Sequence, residues 1–574
     1  MTTILGISGY FHDSSVCLIK NGHVIEFIKE ESLTRIKGIK GFPVRALKFI
    51  IERHNLNNSN IDTIAFYEQP LRSWAATLHY SLKQPWRRRK LLSMQLKDFW
   101  NGPIGFAGDL QSILKIDSQK IIYVPHHLSH ALSALAYLPN YMREMPSLHF
   151  VLDGVGDGCT QSIFTNINDE LNCVYRMSYP HSLGLFYSTI TDFCGFSVNE
   201  GEQKLMALAA FGTPKYLDFF KNDVIIFNAP DFSLNMKWFA FDSDPEKSFS
   251  EDLVEKLGPP IKKFETKLST DESFERAANI AASAQALIEE CLLAMVRWGM
   301  QETGIKSISL SGGIAQNSVA ISKLQKITDI EHLTVPPSPG DSGAALGAAN
   351  FAHMMGGNPS ILADQLSYGC NQLRETEDLL HQFFVPIILG DAKLEAVTKL
   401  LHHGEILCCY LDGNEVGPRA LCNRSIICPA NNSQSVRKLN EIIKKREGFR
   451  PLAPVMRPKI ADQYFELWEE AAVNYQWMAM TVQAKKIFPE SYKSSLHVDK
   501  SARIQILTDD THFISEVLDD LSGDIDILIN TSFNIAGDPI VFDIIDCYVN
   551  MERMGLTHLI TDQGLYKKRE HISV

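Results

Sequence analysis

Residues 3–28 read TILGISGYFHDSSVCLIKNGHVIEFI and divide into strand, turn, strand, turn and strand. The first six residues form a short apolar run, a polar turn follows from Gly9, and 15–20 is apolar with β-branched residues. Asn21-Gly22, between two apolar stretches, is the strongest short-range signal of a β-hairpin, because both residues accept the left-handed backbone of a type I′ turn. The stretch therefore predicts three consecutive antiparallel strands.

A Gly/Ser turn between the first two strands is how actin-like, sugar-kinase-like ATPases begin, although many other β-meanders share it. Further along, strand and helix patterns alternate. Strands are predicted at 121–125, 148–158 and 307–313, and helices at about 271–302 and from Asp341. This alternation predicts an α/β fold.

The chain has 574 residues, too many for one hydrophobic core, so two or three domains are expected. The periodic pattern loosens around 354–372, where MetMetGlyGlyAsnProSer occurs. We place the domain boundary there, between a first domain at 1–355 and a second at 370–574.

Composition excludes several classes of protein. Apolar residues make up 45% and charged residues 21%, which is ordinary for a globular chain. A net charge of −12 argues against a nucleic-acid partner. Neither a signal peptide nor a run of about 20 apolar residues is evident, so no membrane association is expected. The eleven cysteines form no CxxC pair, which favours a reducing cytoplasm.

The segment PHHLSH at 125–130 suggests a metal site. On a helix, His126 and His130 are four residues apart and share a face, and two imidazoles so placed bind divalent transition metals well. Asp153, at the end of an apolar strand, and Asp341, at the start of a helix, could complete a set for iron, manganese or zinc. The alternatives are a hydrogen-bonded histidine cluster and, for Asp341, a helix N-cap.

Two glycine turns follow strand patterns. Residues 310–317, LSGGIAQN, place Gly312, Gly313 and Asn317 before a helix, and 340–347, GDSGAALG, open the next one. Backbone N–H groups at such turns favour an anion or a nucleotide. Neither is a Walker A loop or a GxGxxG fingerprint.

A basic segment lies in the second part. Between Arg419 and Arg450 there are eight basic and two acidic residues, a local charge of +6. Such a cluster inside an acidic protein indicates an anion pocket, with a solvated helix face as the alternative. By contrast, the basic run at 87–90 has no glycine or acid partner nearby in the sequence, and we predict that it lies on the surface.

Taken in order, the motifs closely resemble those of the NodU/CmcH carbamoyltransferases, over essentially the full length. The matching segments are YFHDSS at 10–15, KEE at 29–31, PHHLSHA at 125–131, LDGVGD at 152–157, GEQKLMALA at 201–209, SGGIAQN at 311–317, GDSGAALG at 340–347, GPRAL at 417–421, HVDKSAR at 497–503 and NTSFN at 530–534.

The resemblance implies an actin-like N-terminal domain, similar to the tRNA threonylcarbamoyl-transfer enzymes, and a YrdC-like α/β C-terminal domain. Family members form carbamoyl-adenylate from carbamoyl phosphate and ATP, used with Mg2+, in the second domain. The first domain, with a bound metal, passes the carbamoyl group to a hydroxyl of a small acceptor. No nucleic-acid or membrane partner is implied, and a homodimer is left open.

The resemblance also implies roles for individual residues. The implied ligands of the metal, iron before zinc or manganese, are His126, His130, Asp153 and Asp341. The resemblance also places His12 near the transfer site. The glycine turn with Asn317 is assigned to cofactor binding. The carbamoyl phosphate and ATP residues, with Lys444 and Arg446 forming the K-x-R pair and Ser532 and Asn534 the S-x-N pair, are Arg419, Arg424, Lys444, Arg446, Arg450, Arg503, Asn530, Ser532 and Asn534.

The chain departs from the family pattern at three places: Cys422 stands for a glycine, Cys428-Pro429-Ala430 for Asp-Pro-Arg, and Lys500-Ser501 for glycine and threonine. These put the local loop shapes and the acceptor in doubt. Two rival functions share these features: a tRNA threonylcarbamoylation enzyme and a non-catalytic, nucleotide-sensing partner protein.

Overall fold

A computed structural model describes residues 2–94, 102–262, 272–369, 377–411, 413–444 and 452–570. The described residues fall into two compact units. The N-terminal unit takes them from Met1–Glu30, Gly38–Glu265 and Ser269–Asp364. The C-terminal unit takes them from Glu31–Lys37 and Gln365–Val574. A short segment near the start of the chain thus belongs to the C-terminal unit.

The strands up to residue 364 belong to the N-terminal unit. They are β1 Thr3–Ser8, β2 Ser15–Lys20, β3 His23–Lys29, β4 Thr63–Phe66, β5 Ile121–Tyr123, β6 Ser147–Gly156, β7 Cys159–Ile167, β8 Glu170–Ser178, β9 Ile225–Asn228, β10 Asp231–Leu234, β11 Ser307–Ser311 and β12 His332–Thr334.

The helices in the same part of the chain are α1 Glu30–Thr34, α2 Val44–His54, α3 Pro70–Leu82, α4 Phe106–Leu114, α5 His126–Ala136, α6 Asn140–Arg143, α7 Leu183–Phe193, α8 Glu202–Ala209, α9 Leu217–Phe219, α10 Glu251–Leu257, α11 Glu272–Thr303, α12 Ser318–Ser322 and α13 Asp341–Met355.

Two five-stranded sheets of this unit repeat one topology. The first has the order β3-β2-β1-β4-β5 and the second β8-β7-β6-β11-β12. In each, the first three strands pair antiparallel and the last two join in parallel. A duplicated sheet of this order, with helices between the parallel strands, is the actin-like architecture. The predicted α/β fold class is therefore confirmed.

The N-terminal meander forms as its sequence predicts. Strand β1 is buried along its whole length, and its six residues pair in register with β2, from Thr3 opposite Lys20 to Ser8 opposite Ser15. Asn21 and Gly22 both have positive φ, 52° and 80°, so the Asn-Gly dipeptide makes the left-handed turn between β2 and β3.

Helices α5 and α13 cross at very close range. A Cβ atom on Gly347 of α13 would lie 1.7 Å from the carbonyl oxygen of Ser129 in α5. Only glycine permits this approach. Asp341 is in the first turn of α13, and His126 begins α5. The close packing of the two helices therefore places the Asp341 carboxylate beside His126 and His130.

Helix α11 is the one described helix that is long and apolar enough to cross a membrane by length and composition. Two-thirds of its most apolar window (67%) is buried inside the protein. The helix packs against α7 and α8 within the N-terminal unit. This burial is that of a core helix.

The prediction that the basic run at 87–90 is a solvated surface is wrong for Arg88. Its guanidinium stacks 3.6 Å from the ring centroid of Tyr80, and its Nη2 lies 3.4 Å from the buried carboxylate of Asp242. Arg87 pairs with the same carboxylate at 3.1 Å. The acid partner is about 150 residues away in the chain, which a local reading of charge cannot reveal.

The strands and helices after residue 364 build the C-terminal unit. They are β13 Ser367–Tyr368, β14 Phe384–Leu389, β15 Leu407–Tyr410, β16 Asn414–Glu415, β17 Arg424–Pro429, β18 Ala453–Met456, β19 Val482–Gln483, β20 Ser501–Ala502, β21 Gln505–Ile506, β22 Leu528–Ser532, β23 His558–Thr561, β24 Gly564–Lys568, α14 Glu377–Phe383, α15 Lys393–His402, α16 Ser433–Arg437, α17 Pro458–Tyr464, α18 Phe513–Asp520 and α19 Ile544–Met554.

This unit has an eight-stranded mixed sheet of order β14-β24-β23-β15-β17-β22-β18-β21. Helices α15 and α18 pack on one another and bury Val397, Leu401 and Val517 against it. Helix α16 continues as a π-helical segment, Lys438–Ile443, that ends at Lys444. The basic residues that follow, at 445–450, lie outside the described residues.

Candidate functional site

The two predicted histidines of α5 meet on one face of the helix. Their Nε2 atoms are 3.1 Å apart, and both side chains are buried. Asp153 Oδ2 lies 3.3 Å from His126 Nε2. Asp341 Oδ1 lies 3.3 Å from His130 Nε2 and 3.7 Å from His126 Nε2. One ligand atom from each of the four residues lies within 4.8 Å of all the others.

A third carboxylate, whose role was not predicted from the sequence, holds the start of α5. Asp157 accepts the backbone N–H of His126 at 2.8 Å and that of Gln69 at 2.9 Å. These two hydrogen bonds connect the loop after β4 to the first turn of α5. Gly156 gives the ring of His126 its space, since a Cβ there would lie 2.1 Å from His126 Cδ2. The segment LDGVGDG thus supplies a candidate metal ligand in Asp153, room for the His126 ring at Gly156, and the hydrogen-bond acceptor Asp157 that fixes the start of α5.

The glycine turn after β11 contacts this cluster. The N–H of Gly313 donates to Asp153 Oδ1 at 2.9 Å, and the N–H of Gly312 donates to the carbonyl of Pro339 at 2.7 Å. Asn317 caps α12 and exchanges amide hydrogen bonds with Gln285. The N–H groups of this turn were predicted to bind an anion or a nucleotide. In this conformation that of Gly313 orients Asp153, and that of Gly312 bonds the backbone at Pro339.

Charge in the cluster favours a cation. Burial lowers the pKa of His126, but the hydrogen bond to Asp153 and the charge of Asp341 outweigh it and raise the pKa to about 10. Burial raises the pKa of Asp153, but the hydrogen bond from His126 and the charge of His130 hold it well below its usual range. Two buried carboxylates thus stabilise positive charge between them.

The donor set fits a divalent metal ion. Two imidazole nitrogens and two carboxylate oxygens are the ligands that iron, manganese and zinc share. Asp341 Oδ1 is buried and forms no hydrogen bond with the described residues, nor do the Nδ1 atoms of His126 and His130. An ion held by the converging Nε2 and carboxylate atoms would bind Asp341 Oδ1 directly, in place of the hydrogen bond that this oxygen does not form.

His12 lies beside this cluster. Its Nδ1 is 3.0 Å from Asp13 Oδ2, and its Nε2 is 3.9 Å from Asp341 Oδ2. Burial lowers the pKa of His12, but the charges of Asp341 and Asp13 outweigh it and raise the pKa to about 9. Asp13 has φ +58°, a left-handed backbone that turns its carboxylate back to the imidazole.

In the C-terminal unit, Lys444 meets the S-x-N pair. Its Nζ donates to the carbonyl of Ser532 at 2.8 Å, to the carbonyl of Asn534 at 2.5 Å and to Asn534 Oδ1 at 2.8 Å. Ser532 Oγ donates to Asn534 Oδ1 at 2.6 Å. Lys444 is only 1% exposed, so a lysine and an S-x-N pair 88 residues further on form one buried polar cluster.

The GPRAL loop is shaped by a carboxylate that was not predicted. Glu415 Oε1 accepts three backbone N–H groups, from Leu421 at 3.0 Å, Asn423 at 3.1 Å and Arg424 at 2.8 Å. Arg424 is buried, stacks 3.7 Å from the ring centroid of Tyr410 and donates to the carbonyl of Leu411. Its guanidinium is therefore placed in the core of this unit.

The other predicted anion residues differ in their setting. Arg419 and Arg503 are half-buried. Asn530 donates through Nδ2 to the carbonyl of Ala420 at 2.9 Å and to Gln505 Oε1 at 2.6 Å, and so ties β22 to the GPRAL loop. Arg446 and Arg450 lie outside the described residues.

Two of the three departures from the family pattern share a backbone feature. Cys422 and Lys500, where the resemblance implies glycine, have φ +79° and +64°. Glycine adopts this left-handed region at little cost, whereas other residues are strained there. Both non-glycine residues therefore sit in a backbone conformation that glycine would adopt at lower cost. Cys428-Pro429-Ala430 ends β17 and is buried.

Comparisons with known proteins identify the family of the chain. A family model described as Carbamoyltransferase N-terminus matches residues 3–350, and one described as Carbamoyltransferase C-terminus matches 398–568. An uncharacterized Synechocystis sp. protein is 31% identical over 99% of this chain and 97% of its own length. Nodulation protein NolNO of Sinorhizobium fredii is 26% identical over 98% of this chain and 79% of its own length.

Among solved structures, HypF of T. kodakarensis covers 62% of this chain and 48% of its own chain at 14% identity and a TM-score of 0.32, too distant to add to the topology. The two family models together span most of the sequence, and the N-terminal one alone covers more than half of it. The predicted resemblance is confirmed: the chain belongs to the carbamoyltransferase family, and it is a carbamoyl-transferring enzyme.

Proposed function

We propose that this enzyme is an ATP-dependent O-carbamoyltransferase that works through a carbamoyl-adenylate. The observation that carries the proposal is the presence of two separate polar clusters in a chain of this family. One is the acidic His/Asp cluster beside His12 in the N-terminal unit, and the other is the Lys444–Ser532–Asn534 cluster in the C-terminal unit.

The first step is assigned to the C-terminal unit. Carbamoyl phosphate, water and ATP with its Mg2+ give carbamoyl-adenylate, phosphate and pyrophosphate. Both substrates are polyanions, and lysine and arginine neutralise the charge that develops on the phosphates in the transition state. Lys444, Arg419 and Arg503 are the described cations proposed for this role, with Arg446 and Arg450 beyond the described residues.

The second step is assigned to the N-terminal unit. His12 takes the proton of the acceptor hydroxyl as its oxygen attacks the carbamoyl carbon, and AMP leaves. His126, His130, Asp153 and Asp341 would hold the divalent ion. When bound, the ion would polarise the carbamoyl carbonyl and offset the Asp341 charge that raises the pKa of His12. We propose iron before zinc or manganese.

The acceptor is proposed to be a hydroxyl of a small natural product or a sugar-like molecule. Similarity to a nodulation protein supports this class without naming the compound. A tRNA acceptor is disfavoured by the net charge of −12. All ten cysteines among the described residues are free, and nine of them are buried, in keeping with a proposed cytoplasmic location.

Two measurements test the function. The purified enzyme should catalyse exchange of labelled pyrophosphate into ATP that depends on carbamoyl phosphate. With a panel of polyhydroxylated small molecules, it should add the mass of one carbamoyl group to a hydroxyl. Exchange with no carbamoyl phosphate requirement would contradict the adenylate. Modification of tRNA in place of every small alcohol would favour the rival function.

A further inference from the structure

Arg35 occupies an unusual backbone position for an arginine. It follows α1, its N–H donates to the carbonyl of Glu31 at 3.0 Å, and its φ is +59°. This is the left-handed residue that closes a helix, a position that glycine fills at least cost. A long charged residue there indicates that its side chain is needed.

The guanidinium of Arg35 joins three acceptors of the C-terminal unit. Nη1 donates to the carbonyl of Ile540 at 2.7 Å, and Nη2 donates to the carbonyl of Pro539 at 2.8 Å. Nη1 also lies 3.1 Å from Asp546 Oδ2, which accepts the N–H of Phe542 at 2.9 Å. A planar fork of donors suits two consecutive carbonyls and a carboxylate, and an ammonium group does not.

The segment that Arg35 holds is the far end of the S-x-N loop. The loop leaves β22 after Ser532 and returns at Val541, whose N–H donates to the carbonyl of Phe533 at 3.0 Å. Within it, Asn534 Nδ2 donates to the carbonyl of Asp538 at 2.5 Å. The near end of this loop supplies both Asn534 oxygens that accept from Lys444.

We propose that Arg35 is a positioning residue for the anion site of the C-terminal unit. It fixes the loop at Pro539 and Ile540, and the loop in turn presents Ser532 and Asn534 to Lys444 and to the bound substrate. This inference rests on the proposed function only in naming the ligands of that site, carbamoyl phosphate and ATP.

The test compares Arg35→Lys with Arg457→Lys in the full-length protein. Arg457 is a matched control in the same unit, since it donates to the carbonyl of Leu507 at 2.7 Å and pairs with Asp510 and Asp519, away from this loop. Titration calorimetry measures the binding of Mg-ATP and of carbamoyl phosphate. Arg35→Lys should bind at least one of these ligands at least tenfold more weakly than wild type, whereas Arg457→Lys should bind both as wild type does. Hydrogen exchange at Phe533 and Val541 should accelerate in Arg35→Lys.

Asp546→Asn provides a second variant in case Arg35→Lys folds poorly. It removes the carboxylate but leaves both carbonyl contacts, so a smaller loss of affinity is expected. Unchanged binding in Arg35→Lys, with or without faster hydrogen exchange, would overturn the inference. A wild-type protein that binds both ligands yet exchanges no pyrophosphate would contradict the proposed adenylation instead, and the same titrations would still decide the role of Arg35.

Discussion

His126 Nε2 and His130 Nε2 lie 3.1 Å apart on one face of α5, facing the carboxylates of Asp153 and Asp341. Two imidazoles this close cannot both be protonated without repulsion, and two carboxylates this close repel each other in the same way. An ion between the four groups relieves both. The arrangement therefore favours the binding of a cation.

The first prediction concerns this cluster. His130→Ala should lose the divalent ion and acceptor carbamoylation while keeping carbamoyl phosphate-dependent pyrophosphate exchange, because we assign the exchange to the C-terminal unit. Elemental analysis of the purified variant measures the ion, and His127→Gln is the control. His127 is on the same helix but pairs with Ser162 Oγ at 2.9 Å, so its replacement should leave the ion bound. Equal metal content in His130→Ala and wild type would refute the assignment.

Local patterns in the sequence predicted local structure well. The Asn21-Gly22 turn and the shared face of His126 and His130 depend on residues at most four apart, and both occur as expected. Contacts made across the chain were not predictable. Asp157 binds the N–H of Gln69, 88 residues away, and Arg88 pairs with Asp242, 154 residues away. In both cases the partner is chosen by the tertiary fold, and no spacing in the sequence points to it.

A second prediction uses the left-handed residues. Lys500 is exposed with φ +64°, so Lys500→Gly should be about 1 kcal/mol more stable than Lys500→Ala. At Lys399, an exposed position inside α15, the order should reverse by a similar amount, because glycine weakens a helix. Urea unfolding of the four variants measures the differences. A Lys500→Gly variant less stable than Lys500→Ala would show that the loop does not need its left-handed residue.

A third prediction concerns pH. His149 is fully buried between the hydroxyls of Ser147 and Ser309, and burial lowers its pKa to about 4. In the unfolded chain His149 therefore binds a proton below about pH 6.5, whereas in the folded protein it binds one only below about pH 4. This contribution to stability is fully present above pH 6.5 and is lost as the pH falls toward 4, by about 3 kcal/mol.

His149→Gln cannot titrate and should lose less stability than wild type over that interval. The comparison of the two slopes isolates His149 from the other buried histidines, and urea unfolding at a series of pH values provides it. Parallel slopes for variant and wild type would mean that His149 is protonated as easily in the folded protein as in the unfolded chain.

The last prediction is the division of labour between the two units. Lys444→Met should abolish carbamoyl phosphate-dependent pyrophosphate exchange, because it removes the cation that organises Ser532 and Asn534. His12→Ala should leave that exchange intact and block only acceptor modification, since its imidazole faces Asp341 and the proposed acceptor hydroxyl. The His12 variant should therefore form carbamoyl-adenylate that is lost to hydrolysis, with ATP consumed and no acceptor product. Lys438→Met, on the π-helical turn before Lys444, is the control and should retain both activities. Failure of His12→Ala at both steps, with its fold intact by circular dichroism, would contradict two separate sites, because one histidine would then serve adenylation as well as transfer.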